Sequence, residues 1–340
     1  MAKRIGKHTV VFENEPSIIS SASIVGKNEG KGPLFDEFDE IVEDATFGME
    51  NWEQAESELQ RRTVQKALEK ANLTKDNVDI ICAGDLLSQC IGSSFGLKSF
   101  DIPFVGMYGA CSTMALTLAT ASVFIDSGAA DIAVAETSSH FCSAEKQFRF
   151  PLEYGGQRTP TSQRTATASG AMVLKRNAKN SVHIKAATFG RIQDLGIKDP
   201  NNMGAAMAPA AAETIKDFLH DTKTSPDDYD LILTGDLGKV GSTLLCELLE
   251  KEYNIDISKK HKDCGLMIYD VEKQDVHAGG SGCGCCASVL SSHILRRLEN
   301  GELKKVLVAA TGALLSTITS NEGESIPSIS HAVLLSGGNR

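Results

Sequence analysis

The sequence predicts an α/β protein of five layers, in which two copies of one mixed-sheet unit face each other across a shared layer of buried helices. The first observation is a repeat: Ser225–Leu237 restates the pattern of Thr74–Leu86 after 151 positions, a turn, a short apolar strand and a Gly-Asp-Leu ending. The second is that three more pairs follow in the same order. The stretch ending at Gly128 is answered by the one from Gly279 to Gly301, Asp131–Thr137 by Lys305–Thr311, and Ala168–Leu174 by Ser330–Ser336. Four matched segments in one order indicate duplication, with units at 1–178 and 179–340. The third is a helix, Ala110–Ser127, apolar on nearly every side, as a helix enclosed by protein must be.

Taken in order, Thr9–Val25 reads as one or two strands around Pro16, and 26–33 as a loop. Acidic residues from Asp36 to Glu58 read as a solvated face. Leu59, Val64, Ala67, Leu68 and Ala71 at helical spacing predict a helix over Trp52–Ala71. Val78–Ala83 reads as a buried strand ending at Gly84, and Ile102–Met107 as another. Gly106 and Gly109 then turn the chain into the apolar helix. Cys111 falls at that hand-over, near unpaired N–H groups and the positive helix end, a setting that favours thiolate and nucleophilic chemistry. The bland alternative is core filling, since free cysteine is among the most buried residue types. No intervening helix is evident between the last two strands of each unit, which predicts an antiparallel pair in a mixed sheet. Ala210–His220 reads as a helix starting after Pro209.

The chain has 340 residues, 41% hydrophobic and 23% charged. No apolar run approaches the roughly 18 residues that cross a bilayer, and the start does not read as a signal peptide. Nine cysteines, an odd number, fit a reducing cytoplasm better than a secreted disulfide frame. A net charge of −10 argues against nucleic acid, so an anionic ligand would need a local basic cluster. Lys146, Arg149, Arg158 and Arg164 supply one in a Gly- and Pro-containing segment that holds only Glu153 against them. Phe150 and Tyr154 could stack on a planar ring. Surface or subunit-contact arginines are the alternative. Cys283, Cys285 and Cys286 lack the spacing of a tetrahedral metal site and read as small residues packed at a helix start.

A duplicated α/β chain with a cysteine opening its central helix resembles the thiolase-like superfamily, which includes thiolases and ketoacyl synthases. Leu59–Leu86, Gly109–Ser112 and Gly279–Leu290 carry the likeness. The wording of Ile18–Gly26, Phe35–Asp39, Tyr108–Thr113, Phe150–Gly155 and Val276–Cys286 is similar, more closely, to the branch of that superfamily found in endospore-forming bacteria. This resemblance implies a five-layered αβαβα fold and a homodimer. It also implies a protein, made in the cytoplasm, that binds dipicolinic acid and takes part in moving it, with calcium, into the developing spore. The work would be done peripherally at the spore inner membrane, beside other proteins of the same operon. No cofactor is implied. Condensing members use a histidine pair, or His with Asn, to steady an enolate; at the corresponding strand this chain has Thr234-Gly235-Asp236. A carboxylate there faces the charge that condensation builds. Cys111 is therefore expected to be a vestigial nucleophile in a binding cavity. His277, Gly279, Gly280, Asp236, Arg149, Arg158 and Arg164 are the other expected ligand contacts. The competing expectation is a residual acyltransferase or thioesterase using Cys111 on an acyl-coenzyme A.

Overall fold

Two five-strand blocks of identical connectivity, extended by the short strands Lys3–Ile5, Thr9–Val11 and Glu40–Val42, organise the chain. A computed structural model describes residues 2–148, 158–179 and 181–338. The first sheet contains β1 (Pro16–Gly26), β2 (Ile80–Gly84), β3 (Phe104–Gly106), β4 (Ile132–Ser139) and β5 (Ala168–Arg176). Its order is β1-β5-β4-β2-β3, antiparallel as far as β4 and parallel beyond. The second contains β6 (Val182–Thr188), β7 (Leu231–Thr234), β8 (His261–Asp263), β9 (Lys305–Ala313) and β10 (Ser328–Ser336). Its order, β6-β10-β9-β7-β8, repeats the first in sequence and sense. The sheets join edge to edge where Val182 and His183 pair with Ile18 and Ser17.

The helices fall into three layers. Outside the first sheet lie α1 (Trp52–Lys70) and α2 (Ile91–Leu97); between the sheets lies α3 (Thr113–Ser127). The short α4 (Phe141–Phe148) follows β4, and α5 (Met203–Thr222) and α6 (Gly238–Tyr253) cover the second sheet. α7 (Cys283–Val289) completes the middle layer and runs through a wider turn at Leu290–Ile294 into Leu295–Glu299. The duplicated αβαβα arrangement is that expected from the repeat.

The composition of α3 explains its position. Met114, Ala115, Leu118, Ala119, Ala121 and Ile125 are all fully buried, and the helix touches strands of both sheets. By length and mean hydropathy, 1.3 over Ala110–Ser127, this segment could cross a bilayer, contrary to the reading of the sequence; 72% of it is buried inside the fold. Its apolar surface is already satisfied by protein, so it is a core helix.

Four local expectations are corrected. The run Ile102–Met107 is not a buried strand: only Phe104–Gly106 is extended, it forms the sheet edge, and Phe104 is 39% exposed. Apolar composition here marks an unpaired rim. The helix after Cys111 starts at Thr113, because Ala110 takes a left-handed φ of +48° that no α-helix accommodates. α5 begins at Met203 and continues through Pro209, whose ring nitrogen cannot donate to the preceding turn; Asn202 caps its start by accepting from Ala205 N–H. Finally, short helices do intervene between the last two strands of each unit, α4 and Thr317–Asn321, yet the strands still pair antiparallel.

Candidate functional site

Cys111 sits on a turn tightened by its neighbours: Ser112 Oγ donates to Gly109 O at 2.6 Å and Thr113 Oγ1 to Ala110 O at 2.6 Å. The turn presents the thiol to the second unit, where Asp236 follows the end of β7. Asp236 Oδ1 accepts from Thr311 Oγ1 at 2.8 Å. Its Oδ2 accepts from Ser281 Oγ at 3.1 Å and from Gly282 N–H at 2.9 Å. Ser281 Oγ is 3.9 Å from the Cys111 sulfur, and the Asp236 carboxyl faces that sulfur as well. Cys111 is 6% exposed and Asp236 fully buried.

This geometry overturns the thiolate expectation. Burial pushes the Cys111 thiol well above its ordinary pKa, and the neighbouring Asp236 charge adds to the rise. A helix end contributes about 0.3–1 kcal/mol, whereas full burial can move a pKa by about 3–5 units, so desolvation wins. Burial also raises Asp236, offset by its bonds to Gly282, Cys111, Thr311 and Ser281.

The glycine-rich segment makes this meeting possible. Gly282 has φ +104°, and a Cβ there would lie 2.6 Å from Ser139 Oγ; at Gly284 a Cβ would lie 2.1 Å from Ala168 O. Only hydrogen at these positions lets α7 start against the first sheet. A two-residue parallel ribbon then ties the halves together, Arg164 pairing with Gly280 and Thr165 with Ser281. Gln163 Nε2 donates to Asp236 O and Gly280 O, each at 2.7 Å, fixing the strand end to the glycine turn. Gly279 O accepts from Arg164 N–H at 2.9 Å. Apolar walls flank the thiol: Leu86, Ala144 and Cys283, with Phe148 packed on them.

Behind Cys283 lies a layer of buried acids. Cys283 donates to Ser138 O at 2.9 Å, and Ser138 Oγ and Ser143 Oγ donate to Glu56 at 2.9 and 2.6 Å. Asp85 accepts from Ser93 N–H and Oγ at 2.7 and 2.6 Å, and Glu136 from Ser169 Oγ at 2.7 Å. Burial, with Asp85 nearby, pushes the Glu56 carboxyl up to about 8.

The expected contacts divide into two groups. Cys111, Asp236 and the Gly279–Gly280 turn converge. His277 does not join them: its Nε2 lies 3.2 Å from Asp275 Oδ1, and the groups placed on the sulfur, among the described residues, are Asp236, Ser281 and Gly282 N–H. Arg158 also pairs with Asp275, at 2.7 Å, while Arg164 lies over the Phe141 ring at 4.2 Å. Arg149, Phe150 and Tyr154 lie outside the described residues. Lys146, in α4, pairs with Glu53. Cys283, Cys285 and Cys286 are buried in the first turn of α7, as packing predicted. Sequence reasoning missed Gln163, Ser281 and Thr311. Ser281 alone carried a signal, by standing inside the glycine motif.

Layering and strand order define a thiolase fold, and solved structures agree. The 3-oxoacyl-[acyl-carrier-protein] synthase III of Aquifex aeolicus superposes with a TM-score of 0.58 at 15% identity, covering 94% of this chain and 99% of that one. Human mitochondrial 3-ketoacyl-CoA thiolase gives 0.57 at 12%, covering 95% and 99%. The chain is thus a thiolase-fold protein, one with a buried carboxylate set against the thiol. Within this class the chain belongs to the stage V sporulation protein AD family, whose model matches residues 6–336. It is 47% identical over 332 residues to the stage V sporulation protein AD of Bacillus subtilis (strain 168), covering 98% of this chain and 97% of that protein. It is therefore a sporulation protein.

Proposed function

We propose that this protein binds dipicolinic acid (pyridine-2,6-dicarboxylate) in the former acyl pocket at Cys111 and takes part in its uptake, with calcium, into the developing spore. The observation that carries the reading is Asp236, hydrogen-bonded to Ser281 and Gly282 and turned toward the sulfur. A hydrogen-bond donor there would steady the enolate of a condensation. A carboxylate opposes an enolate, so the site does not favour condensation. Leu86, Ala144 and Phe148 pack around the thiol and give the site an apolar side. Membership of the sporulation family supports the process. The same membership supports work beside other SpoVA-operon proteins, peripherally at the spore inner membrane after synthesis in the cytoplasm. A homodimer would form on the open edge at β3, where Phe104, Tyr108, Phe95 and Ile91 are exposed.

Calorimetry with dipicolinate, with and without calcium, tests this directly. Saturable binding that weakens at least tenfold in Leu86→Asp supports it; no heat in either condition overturns it. The surviving thiol favours one competing reading, an acyltransferase or thioesterase. That reading requires a stoichiometric acyl adduct by intact mass after incubation with acyl-coenzyme A, lost in Cys111→Ala.

A further inference from the structure

Arg158 and His277 meet on one carboxylate, that of Asp275, and Arg164 lies near it. Arg158 Nη2 pairs with Asp275 Oδ2 at 2.7 Å, and His277 Nε2 with Oδ1 at 3.2 Å. Arg164 is close enough to stabilise the Asp275 charge but makes no ion pair with it. Its guanidinium carbon lies over Phe141, 4.2 Å from the ring centroid. Arg158 Nη1 and Arg164 Nε are buried with no hydrogen-bond partner. A buried guanidinium N–H without an acceptor carries its full desolvation cost, so two such groups on arginines that share Asp275 as a neighbour describe an acceptor-deficient locus.

Among the described residues, the surrounding charges do not make up the deficit. Glu29, the other acid near Arg164, is fully buried, accepts from the Tyr269 hydroxyl and Thr167 N–H, and is pushed toward its neutral form by burial. Glu145 accepts from Thr165 Oγ1 at 2.7 Å. Asp275 itself has a side chain 82% exposed, so its carboxylate reaches the arginines from the solvent side. His277, two residues on, adopts φ +50°, a left-handed conformation that is costly for a non-glycine residue and marks a tightly held turn.

We infer that Arg158 and Arg164, with His277, form a second binding site, for a small carboxylate from solution, and that Asp275 is its built-in competitor. An incoming carboxylate would take the place of the Asp275 oxygens on Arg158 and satisfy the spare N–H of Arg164; paired donors of this kind recognise a planar carboxylate bidentately. The ribbon that carries Arg164 also carries Gly280–Ser281, and Ser281 touches Cys111. Occupancy at the arginines is thereby coupled by two residues of backbone to the thiol pocket. The inference rests on the functional reading above only for which carboxylate is bound.

The test uses the full chain and two probes, isophthalate and dipicolinate, which share a 1,3-dicarboxylate spacing and differ at the ring nitrogen. Asp275→Asn keeps shape and removes the competing charge; it should tighten isophthalate binding about fivefold or more by calorimetry. Arg158→Gln with Arg164→Gln should abolish it, and Arg164→Lys should retain weakened binding, showing that charge and not misfolding is at issue. Isophthalate binding without dipicolinate binding leaves the site standing and removes the ligand assigned above. Unchanged or weaker isophthalate binding in Asp275→Asn, native-like binding in the double glutamine variant, or no binding of either probe to the native and Asp275→Asn proteins overturns the inference.

Discussion

Cys111 illustrates how a residue's chemistry is set by neighbours far away in sequence. The thiol is burdened by burial first and by the Asp236 carboxylate second, so it stays protonated at neutral pH. Iodoacetamide should therefore modify native protein at Cys111 much more slowly than it modifies a free cysteine peptide. Removing the charge with Asp236→Asn should speed that modification several-fold, since each unit of thiol pKa is worth about tenfold in thiolate. Mass mapping of the alkylated peptide reads the rate, and an unchanged or slower rate in the variant would show that Asp236 does not act on the sulfur.

The glycine turn ahead of α7 is the element on which the meeting of the halves depends. Gly284 faces Ala168 O and Ser139 N, where a Cβ would lie at 2.1 and 2.6 Å. Both are backbone atoms that cannot swing aside. Gly284→Ala should cost about 3 kcal/mol, at the upper end of overpacking effects, visible as a lower urea midpoint with a similar slope. Gly301→Ala provides the contrast. There the φ of +83° is strained for alanine but nothing lies within 4 Å, so the loss should be only about 1 kcal/mol. The open edge at β3 belongs to the same scale. Phe104→Asp should convert a dimer into monomer in sedimentation experiments if that edge is the contact.

Across the whole molecule, buried acids and buried histidines set opposing pH dependences. Glu56 is raised to about 8 and Asp263 to about 6, both by burial, with Asp236, Asp85 and Glu136 raised as well. A raised carboxyl binds more protons folded than unfolded, so its contribution is complete below the unfolded value and is lost as pH rises through the folded one. His261 and His331 are lowered to about 4 by burial. Their contribution is present above the unfolded value near 6.5 and is lost as pH falls toward 4. The two trends oppose each other between about pH 4.5 and 6.5; above that window only the loss from the acids remains, so melting temperature should decline from pH 7 to 8.5 by a few degrees. Glu56→Gln should flatten the alkaline limb specifically, and a limb unchanged in that variant would exclude Glu56 as its source.

Much of the architecture was written locally. The repeat of Thr74–Leu86 at Ser225–Leu237 shows the duplication because each unit must bury the same faces, and the all-apolar Ala110–Ser127 shows the middle layer because only a helix with protein on every side tolerates that surface. Asp236 was legible as a departure from the condensing pattern. What the tertiary structure alone decided was the company each residue keeps. The ionisation of Cys111, the hold of Gln163 on Asp236, and the gathering of His277 with Arg158 around Asp275 all join segments dozens to hundreds of residues apart. Electrostatic energy depends on separation and burial in space, which neither periodicity nor motif spacing encodes.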